Sequence, residues 1–246
     1  MSKGRPMATC AYKRVLLKIS GEGFCKPGAS GLDPEETQTI ARQARGVVEA
    51  GCQLAIVVGG GNFLRGVALS EQADLPRATA DYMGMVATVI NSLALQACLE
   101  ALDADTRVQS AIEMKEVAEP FISRRAVRHL EKGRIVILAG GTGNPFFTTD
   151  TCAALRASEL GAEVLLKATK VDGVYSDDPN TNPNAKRYDR LTYDDVVQQD
   201  LKILDVAAVS LCKQSNIPII VFNLKQEGNI RRVVAGEPVG TFIGKA

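Results

Sequence analysis

Short apolar runs recur between longer stretches with helix signals, and this alternation constrains the fold more than any other feature of the chain. Residues 15–19, 53–58, 106–109, 134–138, 163–166 and 218–222 are mostly near-continuous apolar runs of strand length. Such runs suit a parallel sheet covered on both faces, where no polar alternation is needed. The stretches between them have defined ends. Asp33-Pro34-Glu35-Glu36 supplies an N-cap, a proline at the first helical position and an acid at the third, and Gly51 closes that helix. Pro76 introduces a long helix over 77–102, Ser123 opens one closed by Gly133, and Thr149 or Asp150 opens one closed by Gly161. Thr192 with Asp195 makes a capping box. Strand–helix–strand repetition implies right-handed crossovers and an α/β three-layer αβα sandwich around a mostly parallel central sheet. Residues 171–192 read as a hairpin or excursion, so one domain over 12–246 is expected after a polar extension over 1–11.

Composition narrows the chemistry. Lys plus Arg is 29 against 28 Asp plus Glu, a net charge of +1. That balance argues against a nucleic-acid coat or a polybasic membrane surface, while leaving room for a local cationic pocket. The chain has one histidine, His129, and no tryptophan, so a His-rich zinc site is excluded. His129 sits in the basic run Arg124 to His129 and is expected on a helix surface, away from catalysis. The six cysteines form no CxxC, and reduced, mostly buried thiols are the expectation. Residues 1–11 lack an apolar signal core, and no run reaches the roughly 18 apolar residues of a membrane span. A soluble, cytoplasmic protein is expected.

Four strand ends carry unusual loops: Lys18-Ile19-Ser20-Gly21-Glu22-Gly23; Gly59-Gly60-Gly61-Asn62 with Arg65-Gly66; Gly140 to Asp150; and Lys167 to Tyr175. Glycine lets the backbone approach an anion and aim successive N–H groups at phosphate oxygens, and a following helix adds its positive end. One such loop is ordinarily a turn. Four at one sheet edge form a phosphate-binding edge. A P-loop is excluded, because the sole Gly-Lys pair is Gly244-Lys245. No glycine fingerprint for a dinucleotide opens the first helix, and the protein-kinase triplets are missing.

Lys18-Ile19-Ser20-Gly21-Glu22, Gly59-Gly60-Gly61-Asn62 with Arg65, and Lys167-Ala168-Thr169-Lys170-Val171-Asp172-Gly173-Val174-Tyr175 resemble the amino-acid kinase superfamily. Asp81-Tyr82-Met83-Gly84-Met85, the run Gly141-Thr142-Gly143-Asn144-Pro145-Phe146-Phe147-Thr148-Thr149-Asp150, and Leu204-Asp205 narrow the resemblance to its bacterial uridylate (UMP) kinase branch. It spans about residues 12–243. It implies the carbamate kinase-like fold, with a UMP side over 12–160 and an ATP side over 161–246, and γ-phosphoryl transfer from Mg-ATP to UMP. Such chemistry needs fixed cations, N–H cradles and Mg²⁺ bound with ATP more than a proton-shuttling base.

The resemblance implies roles residue by residue. Lys18, Arg65 and Asp150 match catalytic positions, with Asp150 orienting the cations or, alternatively, serving only as a helix N-cap. Gly60, Asp81, Thr142, Gly143, Asn144, Pro145, Phe146, Phe147, Thr148 and Thr149 match the UMP side, although the phenylalanines are also candidates for core. Lys18, Ile19, Ser20, Gly21, Gly61, Arg65, Thr169, Tyr175, Asp178 and Asp205 match the ATP side. Lys167 and Lys170 add positive potential without an assigned phosphate. No metal-ligand set of the protein's own is implied. The resemblance further implies a homohexamer built as a trimer of dimers, and UTP as a feedback inhibitor competing for the UMP site. Residues 25–33 depart from the family's effector segment, so GTP activation does not carry over. Two other readings remain open: a superfamily kinase acting on a carboxylate or carbamate, and a nucleotide-binding or oxyanion-storage protein on the same fold.

Overall fold

The computed structural model describes residues 10–64, 75–179, 181–201 and 203–245. Each apolar run becomes a strand within a residue or three of the expected ends. The strands are β1 (Arg14–Ile19), β2 (Gln53–Val58), β3 (Thr106–Ser110), β4 (Glu119–Pro120), β5 (Ile135–Ala139), β6 (Val164–Thr169), β7 (Val174–Tyr175), β8 (Arg187–Tyr188), β9 (Arg190–Thr192), β10 (Ile219–Asn223) and β11 (Thr241–Gly244). Nine of them form one sheet in the order β4-β3-β5-β2-β1-β6-β10-β11-β9. Every pairing in it is parallel except β10 with β11. β7 and β8 pair antiparallel as a separate ribbon, the excursion expected over 171–192.

The helices are α1 (Pro34–Glu49), α2 (Arg77–Glu100), α3 (Ser123–Glu131), α4 (Thr149–Leu160), α5 (Tyr193–Gln198), α6 (Val206–Ser215) and α7 (Asn229–Val234), with a 3-10 turn over Gly21–Phe24. They cover both faces, giving the three layers. Leu17, Ile19, Ile56 and Val58 pack with Ile40, Val47, Leu95 and Val233 on the α1, α2 and α7 side. Leu16, Val57 and Leu165 pack with Leu130, Ala153, Val196 and Val209 on the other. Strand alternation therefore sends Lys18, two residues after Leu16, toward the α4–α6 face.

Local chemistry explains the helix ends. Asp33 accepts from Glu35 N and Glu36 N at 2.9 and 3.0 Å ahead of Pro34, as expected. The Thr192–Asp195 capping box forms. At α4 the cap is Thr148, one and two residues before the expected candidates Thr149 and Asp150, and Gly161 closes the helix at φ 64°. Ser123 does not cap α3; Ile122 holds that position and Ser123 Oγ reaches Glu159 O instead.

Three other expectations are corrected. His129 is buried: its Nε2 lies 3.1 Å from Glu119 Oε2 and its Nδ1 3.0 Å from Arg134 Nη1, because the basic stretch turns one face onto the sheet. Cys10 and Cys52 form a disulfide with Cα atoms 5.9 Å apart, since the chain entering β1 runs beside the start of β2. The other thiols are free, and burial pushes Cys152 up to about 11 and Cys212 to about 12, leaving neither as a ready nucleophile. Finally, α2 does reach the length and apolarity of a membrane span, with 24 residues that include an 18-residue stretch of mean hydropathy 1.4. It packs instead along α1 and the β3–β5 side of the sheet, and its inner face carries the buried polar residues Thr88, Asn91 and Ser92.

Candidate active site

Register builds the centre of the site. β1 and β6 are adjacent parallel strands in which Lys18 pairs with Lys167. Paired residues in neighbouring strands project to the same face, so two ammonium groups are forced side by side. A carboxylate answers them. Asp150, in the first turn of α4, lies with Oδ1 2.8 Å from Lys18 Nζ and Oδ2 2.6 Å from Lys167 Nζ. Oδ1 accepts no well-aligned hydrogen bond, so the Lys18 contact is mainly a charge contact. Lys167 Nζ also donates to the Ile203 carbonyl. Burial opposes ionisation of Asp150, but Lys18 and Lys167 outweigh it and hold the carboxyl below its ordinary range. Burial, reinforced by Lys18, lowers Lys167 despite Asp150. Capping by Thr148 leaves the Asp150 side chain available for this bridge.

The glycine loops meet at the same edge. Gly59 N donates to Ile19 O at 2.8 Å, joining the second loop to the end of β1. A Cβ on Gly21 would stand 2.3 Å from Gly61 N, and one on Gly60 would stand 2.6 Å from Gly84 O. Only glycine permits either approach. Arg65 lies outside the described residues.

The expected UMP-side residues are brought together by Asp81. Its Oδ1 accepts from Arg77 Nε at 2.9 Å and its Oδ2 from Phe146 N at 2.8 Å, so α2 grips the Gly140–Asp150 loop. Within that loop Thr142 Oγ1 and the Asn144 backbone bond each other, and Gly143 N closes onto Gly140 O. Phe146 holds φ 71° and is 69% exposed, with Phe147 53% exposed. Neither is core. Left-handed backbone is uncommon for a residue other than glycine, and here it falls at an exposed aromatic beside a polar loop. Pro145 lies between Asn144 and Phe146, and Thr149 opens α4 after its cap.

The expected ATP-side residues divide. A cavity of about 510 Å³ is lined by Asp150, Lys167, Leu201, Ile203 and Asp205. A second, of about 430 Å³, shares Leu201 and Ile203 and continues to Tyr175, Asp178 and Pro179. Asp205, Tyr175 and Asp178 thus lie along one groove leading from the charged centre. Tyr175 OH donates to Asp172 Oδ1 at 2.5 Å, and the Asp178 carbonyl accepts from Thr181 and Asn182 in the turn. Ile19 and Thr169 do not join them. Ile19 is in the core on the α1 side, and the Thr169 hydroxyl donates to Val171 O at 2.6 Å. With Ser20 they line a crevice of only about 30 Å³ on that opposite face.

Asp205 does more than line a cavity. It caps α6 through Ala208 N at 2.7 Å and accepts from Thr151 Oγ1 at 2.8 Å and from Thr148 Oγ1. The N-termini of α4 and α6 therefore converge, a favourable environment for anions. Lys170 is spent on an exposed pair with Glu22 at 2.8 Å. Sequence reasoning missed Thr151, whose position in the first turn of α4 gave no signal, and left Lys167 unassigned although strand register with Lys18 was its signal.

Comparisons with known proteins identify the family. The Amino acid kinase family profile matches residues 13–223. The chain is 55% identical over 233 residues to the chloroplastic uridylate kinase PUMPKIN of Arabidopsis thaliana, covering 95% of this chain and 69% of that protein. Among solved structures, UMP kinase from Bacillus anthracis superposes with TM-score 0.92 at 41% identity, covering 95% of this chain and 96% of the other. UMP kinase from Ureaplasma parvum gives 0.89 at 36%, covering 95% and 99%. On sequence and fold alike, the chain belongs to the amino acid kinase family.

Proposed function

We propose that the chain is a UMP kinase, transferring the γ-phosphoryl group of Mg-ATP to UMP and releasing UDP and ADP. The observation that carries the reading is the Lys18–Asp150–Lys167 bridge beneath the glycine loops, joined to relatives that are UMP kinases over nearly the whole chain. Two polyanions must meet in line, and fixed cations in a partly dry site offset the charge that spreads as the phosphoryl moves. Lys18 would contact the transferred group, and Asp150 would hold the two ammoniums apart and aimed. Asp81 and the residues Thr142 to Thr149 with Gly60 would receive UMP. Gly21, Gly61, Tyr175, Asp178 and Asp205 would receive ATP, with Arg65 adding a planar donor. UMP arrives with its phosphate ionised, so no general base is required.

The described residues contain no group of three His, Cys, Asp or Glu able to cage a metal. Mg²⁺ carried on nucleotide phosphates usually keeps several waters and is bound through one or two carboxylates, a need that Asp150 and Asp205 on the shared cavity would fit. When bound, the ion neutralises charge on the β and γ oxygens. Tyr82, Met83, Val86 and Ile90 form an exposed apolar stripe on α2, which supports a homo-oligomer, as a hexamer of three dimers. UTP inhibition competitive with UMP belongs to the same reading.

A coupled assay with UMP, CMP, acetylglutamate and carbamate tests the substrate: turnover of an acyl acceptor and none of UMP would overturn the proposal. An Asp81→Asn variant should raise KM for UMP far more than KM for ATP. Equal rises would remove Asp81 from the acceptor side.

A further inference from the structure

The Gly59–Asn62 loop and the Gly140 loop approach the site from β2 and β5, and both are held by the inner face of α2. The grip is polar. Asn91 is fully buried and Asn62 nearly so. Their amides pair head to head, Asn91 Nδ2 to Asn62 Oδ1 at 2.7 Å and Asn62 Nδ2 to Asn91 Oδ1 at 3.0 Å. Each nitrogen also donates to a backbone carbonyl: Asn91 to Gly59 at 2.7 Å, Asn62 to Gly31 at 2.8 Å. A planar trans peptide points its C=O and N–H in opposite directions. Holding the Gly59 carbonyl toward Asn91 therefore turns the Gly60 N–H the other way. Among the described residues, nothing accepts from Gly60 N or Gly61 N.

Nearly one turn earlier on the same face, Thr88 is buried and its Oγ1 accepts from Gly140 N at 2.8 Å while donating to Met85 O at 2.6 Å. Aliphatic side chains would fill these positions of an apolar helix as well, without the cost of burying polar atoms. Four amide bonds and a two-way hydroxyl make sense if loop geometry is what they serve.

We propose that Thr88 and Asn91 are positioning residues for phosphoryl transfer. From one helix face they fix both glycine loops, leaving the unpaired Gly60 and Gly61 N–H groups to meet the substrate phosphates. The inference rests on the kinase reading above for the identity of the ligand.

Isosteric variants test it. Thr88→Val and Asn91→Leu keep the heavy-atom branching and remove the hydrogen bonds; Thr88→Ser keeps the hydroxyl. Leu95→Ala, buried further along α2 in the α1-side core, controls for lost stability. With UMP and Mg-ATP, at a temperature where circular dichroism finds each variant folded, Thr88→Val and Asn91→Leu should lose roughly 10- to 100-fold in kcat/KM. Thr88→Ser and Leu95→Ala should stay within about threefold of the parent, the latter despite a lower Tm. The proposal is overturned if Thr88→Val and Asn91→Leu keep parental kcat/KM. It is equally overturned if Thr88→Ser is as impaired as Thr88→Val, or if Leu95→Ala falls alongside them. Should Asn91→Leu not fold, Asn62→Ala breaks the same amide pair from the loop side and is read identically. A parent enzyme that makes no UDP would count against the kinase reading instead. The positioning role is then read by calorimetry, where Thr88→Val should weaken UMP or Mg-ATP binding roughly tenfold or more.

Discussion

Asp150 decides the character of the site, because its carboxylate bridges two buried cations. Replacing Lys18 by Met leaves Asp150 paired with Lys167, so the fold should survive while kcat drops about 10²- to 10³-fold. Asp150→Asn acts differently. Without the carboxylate, two ammonium groups face each other, and Lys167, already lowered by burial and by Lys18, loses the larger of the two carboxylates that opposed this shift, leaving only the weaker pull of Asp205. Activity that needs protonated Lys167 is lost as pH rises through its folded pKa. The alkaline limb of kcat/KM against pH should therefore move to lower pH in Asp150→Asn, and an unmoved limb would mean that Lys167 carries no part of the reaction. For stability the sign runs the other way. The folded pKa of Asp150 lies below the ordinary carboxylate value, so its contribution is fully present above about pH 4 and is lost as pH falls through the folded value. Denaturant midpoints should fall more steeply below about pH 4 in the parent than in Asp150→Asn.

At the scale of elements, the loops work because glycines bring them closer than side chains allow. Gly21→Ala would set a methyl 2.3 Å from Gly61 N, pushing the β1 and β2 loops apart. A shift of that kind near reacting groups should raise KM for ATP and lower kcat together, by about 10²-fold overall; near-parental kinetics would show that the two loops need not touch. These loops were legible in the sequence because glycine clusters after apolar runs are local signals, and the runs themselves located all the main parallel strands. The β4 and β11 pairings, α6 and α7 were not legible, being short elements whose partners lie far along the chain. The same applies within the site. Asp205 was legible as a nucleotide-side residue through its motif, but its bonds to Thr148 and Thr151 depend on two helix starts meeting in space. Thr88 and Asn91 left a fainter trace, as polar residues in an otherwise apolar helix. Ile19 and Thr169 went the other way: Lys18 and Lys167, one and two residues before them, reach the site, yet strand alternation and a local turn bond direct their own side chains elsewhere.

For the whole molecule, the Cys10–Cys52 bond joins the chain entering β1 to the start of β2, at the sheet end opposite the glycine loops. It closes a loop of sequence separation 42. Cross-links of this kind restrict the unfolded chain and typically add about 2–4 kcal/mol. For a chain of this size each kcal/mol shifts Tm by roughly 2–4 °C. Oxidised protein should therefore melt about 5–15 °C above the reduced form, and Cys52→Ser should melt like the reduced parent under both conditions. The bond's distance from Lys18 and Asp150 separates stability from chemistry. Reduction should leave kcat and KM at 25 °C unchanged while shortening the half-life of activity on heating. Equal melting of the oxidised and reduced forms would mean that the two sulfurs are neighbours without being a staple. A change in kcat on reduction would instead mean that strain at the β1–β2 entry is transmitted along both strands to the loops at their far ends, the one route by which this pair could reach the site.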